Sequence, residues 1–243
     1  QVIAELLQEK GIKSIAMTYT NNDYGKGLAD AIQSNYEAAG GKVTINAAHE
    51  DGKGDYSAEV AALSQAGGEI LMVVGYLDQG GKGIIQSSLD AGAFSNFFLP
   101  DAMIGESLVK AIGPDLDGSI GTVPGTDSKG AEIYAELATK DGFTAGPYSP
   151  EAYDAAALTL LAMQAANSAD SNAAKAKVFE VANAPGTKIL PGELAKGLQI
   201  LKDGGDIDYV GATAVELIGA GESAGSYREI LVKDGKNTTV RYR

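Results

Sequence analysis

The chain has 243 residues, 44% of them hydrophobic, a formal net charge of −13, a single histidine and no cysteine. That length suits one large domain or two small ones. The acidic balance opposes sustained contact with nucleic acid or an anionic membrane face. Disulfides, thiolate metal sites and cysteine nucleophiles are excluded, an imidazole-rich metal site with them, and no apolar run approaches the roughly 18 residues of a membrane span.

In chain order, QVIAELLQEKG reads as a helix already under way at Gln1 and stopped by Gly11, so residues preceding Gln1 are expected in the complete protein. Strand and helix then alternate. KSIAMTY (13–19) is a strand, Asp23 to Ala39 an amphipathic helix, KVTINA (42–47) a strand and Tyr56 to Ala66 a helix. EILMVVG (69–75) is the most apolar strand and is expected at the centre of its sheet. Asp78 to Ala91 reads as a helix, NFFLP (96–100) as a strand, Gly105 to Ile112 as a short helix and SIGTVP (119–124) as a strand. This rhythm predicts an α/β fold, a mostly parallel sheet with helices on both faces.

From Ser128 to Lys202 the pattern changes to four helices (Ser128–Lys140, Pro150–Ala166, Asn172–Asn183, Gly192–Leu201) and no parallel strand. Ser149, Pro150 and Glu151 form a start signal: a cap, a first-turn proline and a charge matched to the helix dipole. The apolar residues of that helix, Tyr153, Ala157, Leu160, Leu161 and Met163 among them, require a packing partner. Either the helices form a small subdomain of their own, or they cover a sheet whose strands precede Gln1; the second is preferred. The tail returns to strands in DYVGATAVEL (208–217) and in SYREILVKDGKNTTVRYR (226–243), which turns at Asp234-Gly235 as a hairpin. Both are expected to rejoin the first sheet.

GESAG (Gly221–Gly225) matches G-x-S-x-G, the nucleophile elbow of many esterases. A serine needs a base, and the one histidine, His49, lies upstream of Ser223, against the chain order of that fold. The next residues in the chain form a hairpin pattern rather than a helix, so GESAG reads as a glycine-rich turn. Gly75 and the GGKG at 80–83 suggest a phosphate loop, but Gly83 stands where Ser or Thr is required. No D-x-D-x-D-G calcium loop is present.

Three stretches carry a resemblance. TNNDYGKGLADAIQSNYEAAGGKV (20–43) resembles the segment that opens the second lobe of type I periplasmic solute-binding proteins, specifically the branched-chain amino acid (leucine/isoleucine/valine) binding family of ABC transporters. GPYSPEAYDAAALTLLAMQAA (146–166) resembles that family's long first-lobe helix, and PGELAKGLQILKDGGDIDYVGATAVEL (191–217) its last passage between lobes. The resemblance runs in order over essentially the whole chain. LIGAGESAG departs from the acidic, glycine-containing turn usual there.

The resemblance implies two doubly wound lobes joined by a hinge. Residues 1–124 and 206–243 would form the second lobe, and 125–205 the helical portion of a first lobe whose strand-rich half is not in this sequence. It implies an amino acid or similar small solute as ligand, an ABC permease in the membrane as partner, a periplasmic location, a monomer when full length, and neither cofactor, metal nor catalytic residue. Ligands of open α/β sheets lie beyond the carboxyl ends of the strands. In the loop after strand 13–19 the family places a tyrosine over the ligand, and Tyr24 matches it, with Asn22 beside it; alternatively Asp23 caps the helix and Tyr24 packs locally. After the central strand the family carries an aromatic: Tyr76, or Leu77 if the alignment slips by one residue. In LPDA (99–102) the family's acidic partner of the ligand ammonium corresponds to Asp101, next to Ala102, with aspartate where glutamate is frequent; otherwise Asp101 caps the following helix. The ligand carboxylate would be held by groups outside this chain. A sensor domain of the same fold and a serine esterase using GESAG are the alternatives.

Overall fold

The computed structural model describes residues 1–219 and 222–243. Two compact units emerge, one of residues 1–123 and 227–243 and one of residues 124–226, so the chain passes between them twice.

The first unit alternates strand and helix: α1 (Val2–Glu9), β1 (Ser14–Thr20), α2 (Asp23–Ala38), β2 (Lys42–His49), α3 (Ser57–Ala66), β3 (Ile70–Val74), α4 (Lys82–Asp90), β4 (Phe97–Leu99), α5 (Glu106–Ile112) and β5 (Ile120–Pro124), followed after the second unit by β8 (Tyr227–Lys233) and β9 (Lys236–Tyr242). The sheet order is β2-β1-β3-β4-β5-β8-β9, with β1 to β5 mutually parallel where they pair. Every residue of β3 is buried, because the strand faces a core on both sides. Ile70, Met72 and Val74 join Leu6 and Leu7 of α1 and Ala29, Ile32 and Tyr36 of α2. Leu71 and Val73 join Val60 and Leu63 of α3, Ile84 and Ile85 of α4 and Leu108 and Val109 of α5. Each such aliphatic side chain contributes about 1.5–3 kcal/mol on full burial.

The hairpin at Asp234-Gly235 forms as expected, antiparallel, with φ of +52° and +67° at its two central residues, the backbone that Asp-Gly adopts in a type I′ turn. The Asp117 carboxylate accepts from the N–H groups of Asp234 and Gly235 at 3.0 and 3.2 Å. Glu229 in β8 is buried and paired with Lys10, Arg241 and Arg243 at 2.8 to 3.0 Å.

The second unit holds α6 (Lys129–Lys140), α7 (Ser149–Ala166), α8 (Ser171–Ala182), β6 (Thr187–Ile189), α9 (Leu194–Lys202) and β7 (Ile207–Tyr209). Three expectations are corrected here. First, a strand does occur within 128–202: β6 pairs in parallel with β7. At three residues with one buried side chain it is too short to show a period, and the approach depends on Gly186, where a Cβ would stand 2.3 Å from the Ile207 backbone. Second, the stretch from 206 to 217 belongs to this unit rather than to the large sheet, and the chain returns only at Tyr227. The cause is Asp154 of α7, a buried carboxylate that accepts from the Tyr209 hydroxyl, the Ala212 and Thr213 N–H groups and the Thr213 hydroxyl at 2.7 to 2.8 Å. Burial and the Asp154 charge in turn push the Tyr209 phenol far above its ordinary value. Third, Ser149 is not the cap of α7: Tyr148 holds that position, and Ser149 Oγ accepts instead from Gly146 N–H at 2.8 Å. Ala157 and Leu161 of α7 pack with Val181, Ile189, Ile207 and Tyr209, whereas Leu160 of α7 and Phe179 of α8 remain about half exposed.

Candidate functional site at the strand ends of the first unit

Three loops leave the carboxyl ends of β1, β3 and β4. After β1, Asn22 caps α2, its side-chain oxygen accepting from Gly25 N–H at 2.9 Å, and Tyr24 lies in the first turn. The cap is therefore Asn22 and not Asp23. After β3, Tyr76 keeps an extended backbone and a π-helical turn, Leu77–Gly81, comes next. The N–H groups of Gln79, Gly80 and Gly81 all converge on the Tyr76 carbonyl at 3.1 to 3.3 Å. The sequence read this region as the start of an ordinary helix; such wide turns recur at functional sites. After β4, Asp101–Met103 forms a single 3₁₀ turn.

These loops bring Tyr24, Tyr76 and Asp101 into one cluster. The Tyr24 hydroxyl donates to Asp101 Oδ1 at 2.9 Å. The Tyr24 and Tyr76 rings stack with centroids 5.2 Å apart and planes 28° from parallel. All three side chains are partly buried. A carboxylate oriented by a phenol, next to two stacked aromatic faces, offers a cation partner and an apolar wall within one site. Asn22 is engaged as a cap, Leu77 is packed against the core of the α3–α4–α5 face, and Ala102 is half-buried in the 3₁₀ turn.

A second polar group, not singled out by the sequence as a site, lies at the ends of β1 and β2. His49 is buried, with Nδ1 2.9 Å from Thr18 Oγ1, and Asp51 accepts from the Thr20 hydroxyl at 2.5 Å. Burial pushes the His49 imidazole below its ordinary value, against the raising effect of Asp51, Glu59 and Glu50. The signal available in the sequence was the lone histidine two residues before an aspartate.

Gly221 of GESAG lies outside the described residues. Ser223 Oγ donates to backbone carbonyls, of Glu216 at 3.3 Å and Ala224 at 3.2 Å, and the next element is β8 rather than a helix. The nucleophile elbow is not formed. Among the described residues no three His, Cys, Asp or Glu side chains converge as a metal site, and no helix is long and apolar enough to cross a membrane.

Comparison with known proteins points in the same direction as the geometry. Residues 1–190 match the family described as periplasmic binding protein. Leu/Ile/Val-binding protein homolog 1 of Brucella melitensis is 34% identical over 161 residues, 65% of this chain and 42% of the relative. A leucine-, isoleucine-, valine-, threonine- and alanine-binding protein of Pseudomonas aeruginosa is 27% identical over 176 residues, 69% of this chain and 47% of that protein. The matched region thus spans less than half the length of these curated relatives. The leucine-binding protein of Thermotoga maritima superposes with a TM-score of 0.80 at 17% identity, over 99% of this chain and 63% of that one. The branched-chain amino acid transporter substrate-binding protein of Streptococcus pneumoniae, solved with isoleucine, gives a TM-score of 0.71 at 16% identity over 99% and 62%. With the parallel sheet, the two-unit division and a family match over more than half of its length, the chain belongs to the periplasmic binding protein family, among relatives of the Leu/Ile/Val-binding type.

Proposed function

We propose that this chain is part of the substrate-binding component of an ABC transporter, located in the periplasm, which captures an amino acid with an aliphatic side chain and hands it to a membrane permease. The observation that carries the reading is the cluster of Tyr24, Tyr76 and Asp101 at the strand ends. Asp101 receives the ligand's α-ammonium, the Tyr24 hydroxyl fixes the carboxylate, and the stacked rings cover the aliphatic part. Residues 1–123 with 227–243 act as one lobe and 124–226 as part of the other. The lobes close around the ligand, and binding shifts an existing open–closed equilibrium by the ligand's preference for the closed form. The full-length protein works as a monomer, without cofactor and without chemical turnover.

A charge-assisted hydrogen bond of this kind contributes about 1.5–3 kcal/mol net, roughly ten- to a hundredfold in affinity. The test is calorimetric titration of the full-length protein with L-leucine, L-isoleucine and 4-methylpentanoate, which is leucine without its ammonium. The amino acids are expected to bind and the deaminated acid to bind more weakly by that factor, with the gap closing in Asp101→Ala. Leucine affinity unchanged in Asp101→Ala would remove Asp101 from the site. Failure of every amino acid to bind would overturn the transport reading.

A further inference from the structure

The polar group at the ends of β1 and β2 contains an arrangement that ligand capture alone does not explain. Thr18 Oγ1 lies 3.0 Å from the Ala47 carbonyl and 2.9 Å from His49 Nδ1. A carbonyl only accepts, so the Thr18 hydrogen goes to Ala47, and Thr18 Oγ1 is left to accept from the imidazole. Nδ1 therefore carries the ring hydrogen, and in the neutral ring Nε2 is a bare acceptor. Opposite it, at 3.9 Å, stands Asp51 Oδ1, a second acceptor. Both atoms are buried and neither has a hydrogen-bond partner among the described residues. Two lone pairs face each other where one proton would make a charge-assisted hydrogen bond, once the gap closes by about 1 Å to the usual length near 2.8 Å.

The movement has a route to the ligand cluster. Gly52, next to Asp51, donates its N–H to the Gln79 carbonyl at 2.8 Å, and Gln79 belongs to the turn that closes on Tyr76. Gly80 of the same turn lies so close that a Cβ there would stand 2.9 Å from both Asp51 Oδ1 and Tyr56 Oη. The other groups around His49 are accounted for. From β1 come the Thr18 and Thr20 hydroxyls; from the turn after β2, Asp51 and Glu50; from α3, Glu59, which is paired with Lys53. Tyr56 lies edge-on at 6.3 Å, and Gly75, after β3, brings no charge, a Cβ there standing 3.2 Å from Nε2.

We propose that His49 and Asp51 form a proton-operated brace for the Tyr76 turn. With His49 neutral the turn holds Tyr76 in its stack with Tyr24; protonation of Nε2 draws Asp51 and Gly52 toward the imidazole, pulls the turn with them and weakens ligand binding. Asp51 is thus a positioning residue, acting through Gly52 and Gln79. Because burial keeps His49 neutral near pH 7, the device responds to acidification below the ordinary histidine range. The inference rests on the amino acid reading of the Tyr24–Tyr76–Asp101 cluster.

The test uses the full-length protein with L-leucine as probe, from about pH 7.5 down to about pH 5, a range in which unperturbed carboxylates stay ionised. Leucine affinity is followed by calorimetry and the His49 ring by NMR, its signal assigned by its loss in His49→Gln. The expected result is about a tenfold fall in affinity on acidification and, by reciprocity of linkage, a downward displacement of the His49 titration midpoint by about one pH unit when leucine is bound. Asp51→Asn places an amide donor opposite Nε2 while its oxygen still accepts from Thr20, and should flatten the pH dependence, as should His49→Gln. A His49 midpoint indifferent to leucine, or wild-type pH dependence persisting in Asp51→Asn, would overturn this proposal while leaving the ligand reading intact. No leucine binding at the neutral end would overturn both.

Discussion

The bond between Tyr24 and Asp101 makes a quantitative claim that a double-mutant cycle can check. Tyr24→Phe removes the hydroxyl that donates to Asp101 Oδ1 at 2.9 Å but keeps the ring that stacks on Tyr76 at 5.2 Å. Hydrogen bonds to charged groups contribute about 1.5–3 kcal/mol when dry. Both partners here are only partly buried, so solvent screening lowers the expectation to about 1 kcal/mol, roughly fivefold in leucine affinity. The loss must act through the carboxylate. In the Asp101→Ala background the hydroxyl no longer orients that carboxylate, and Tyr24→Phe should then change affinity by less than about twofold, giving a coupling of about 1 kcal/mol. The assay is calorimetric titration of leucine into the four proteins at one pH and salt concentration, with thermal melts to establish that each is folded. Equal losses from Tyr24→Phe in both backgrounds would mean that the hydroxyl meets the ligand directly, or acts by packing alone, and the positioning argument would be wrong.

Two further predictions concern stability. Asp154→Asn turns an amide donor toward two of the four donors that the carboxylate now satisfies; urea denaturation should show a loss of about 3 kcal/mol, with faster hydrogen exchange at the Ala212 and Thr213 amides, and a loss below about 0.5 kcal/mol would refute the anchoring role. In the first unit, hydrogen bonds from Arg243 and Arg241 lower the Glu9 pKa from 4.5 to about 2. For Glu229 burial opposes ionisation, but Arg241, Lys10 and Arg243 outweigh it and hold its pKa below 4.5. Both carboxylates release their protons more readily folded than unfolded, so their contribution is complete above about pH 4.5 and is lost on acidification below it, for Glu9 as pH falls toward about 2. Melting temperature followed over that interval should fall less steeply in Glu229→Gln than in the parent; identical slopes would show that the network carries no linkage.

The parts of this molecule that were legible in its sequence are those whose cause is local. A run such as ILMVV is buried on both faces because adjacent residues enter opposite cores, and Asp-Gly sets its turn through its own backbone angles. The three loops could be singled out because each comes after a recognisable strand, and parallel strands deliver their loops to one edge of the sheet, but the choice of Tyr24, Tyr76 and Asp101 within them came from the family resemblance. What was illegible depends on partners distant in the chain. The capture of residues 209–213 is fixed by Asp154, 55 residues before Tyr209, and the pairing of β6 with β7 by the close approach at Gly186, and no periodicity in TKI or DYVGA records either. His49 drew no role from its neighbours in sequence. Its meaning comes from the register that sets Thr20 beside His49 across β1 and β2, which supplies Thr18 to one ring nitrogen and leaves the other facing Asp51. A contact of that kind depends on which strands are adjacent rather than on what a strand contains. Polar groups sited by strand adjacency are therefore the features most readily missed in an α/β sequence, and here they sit one hydrogen bond away from the turn that carries Tyr76.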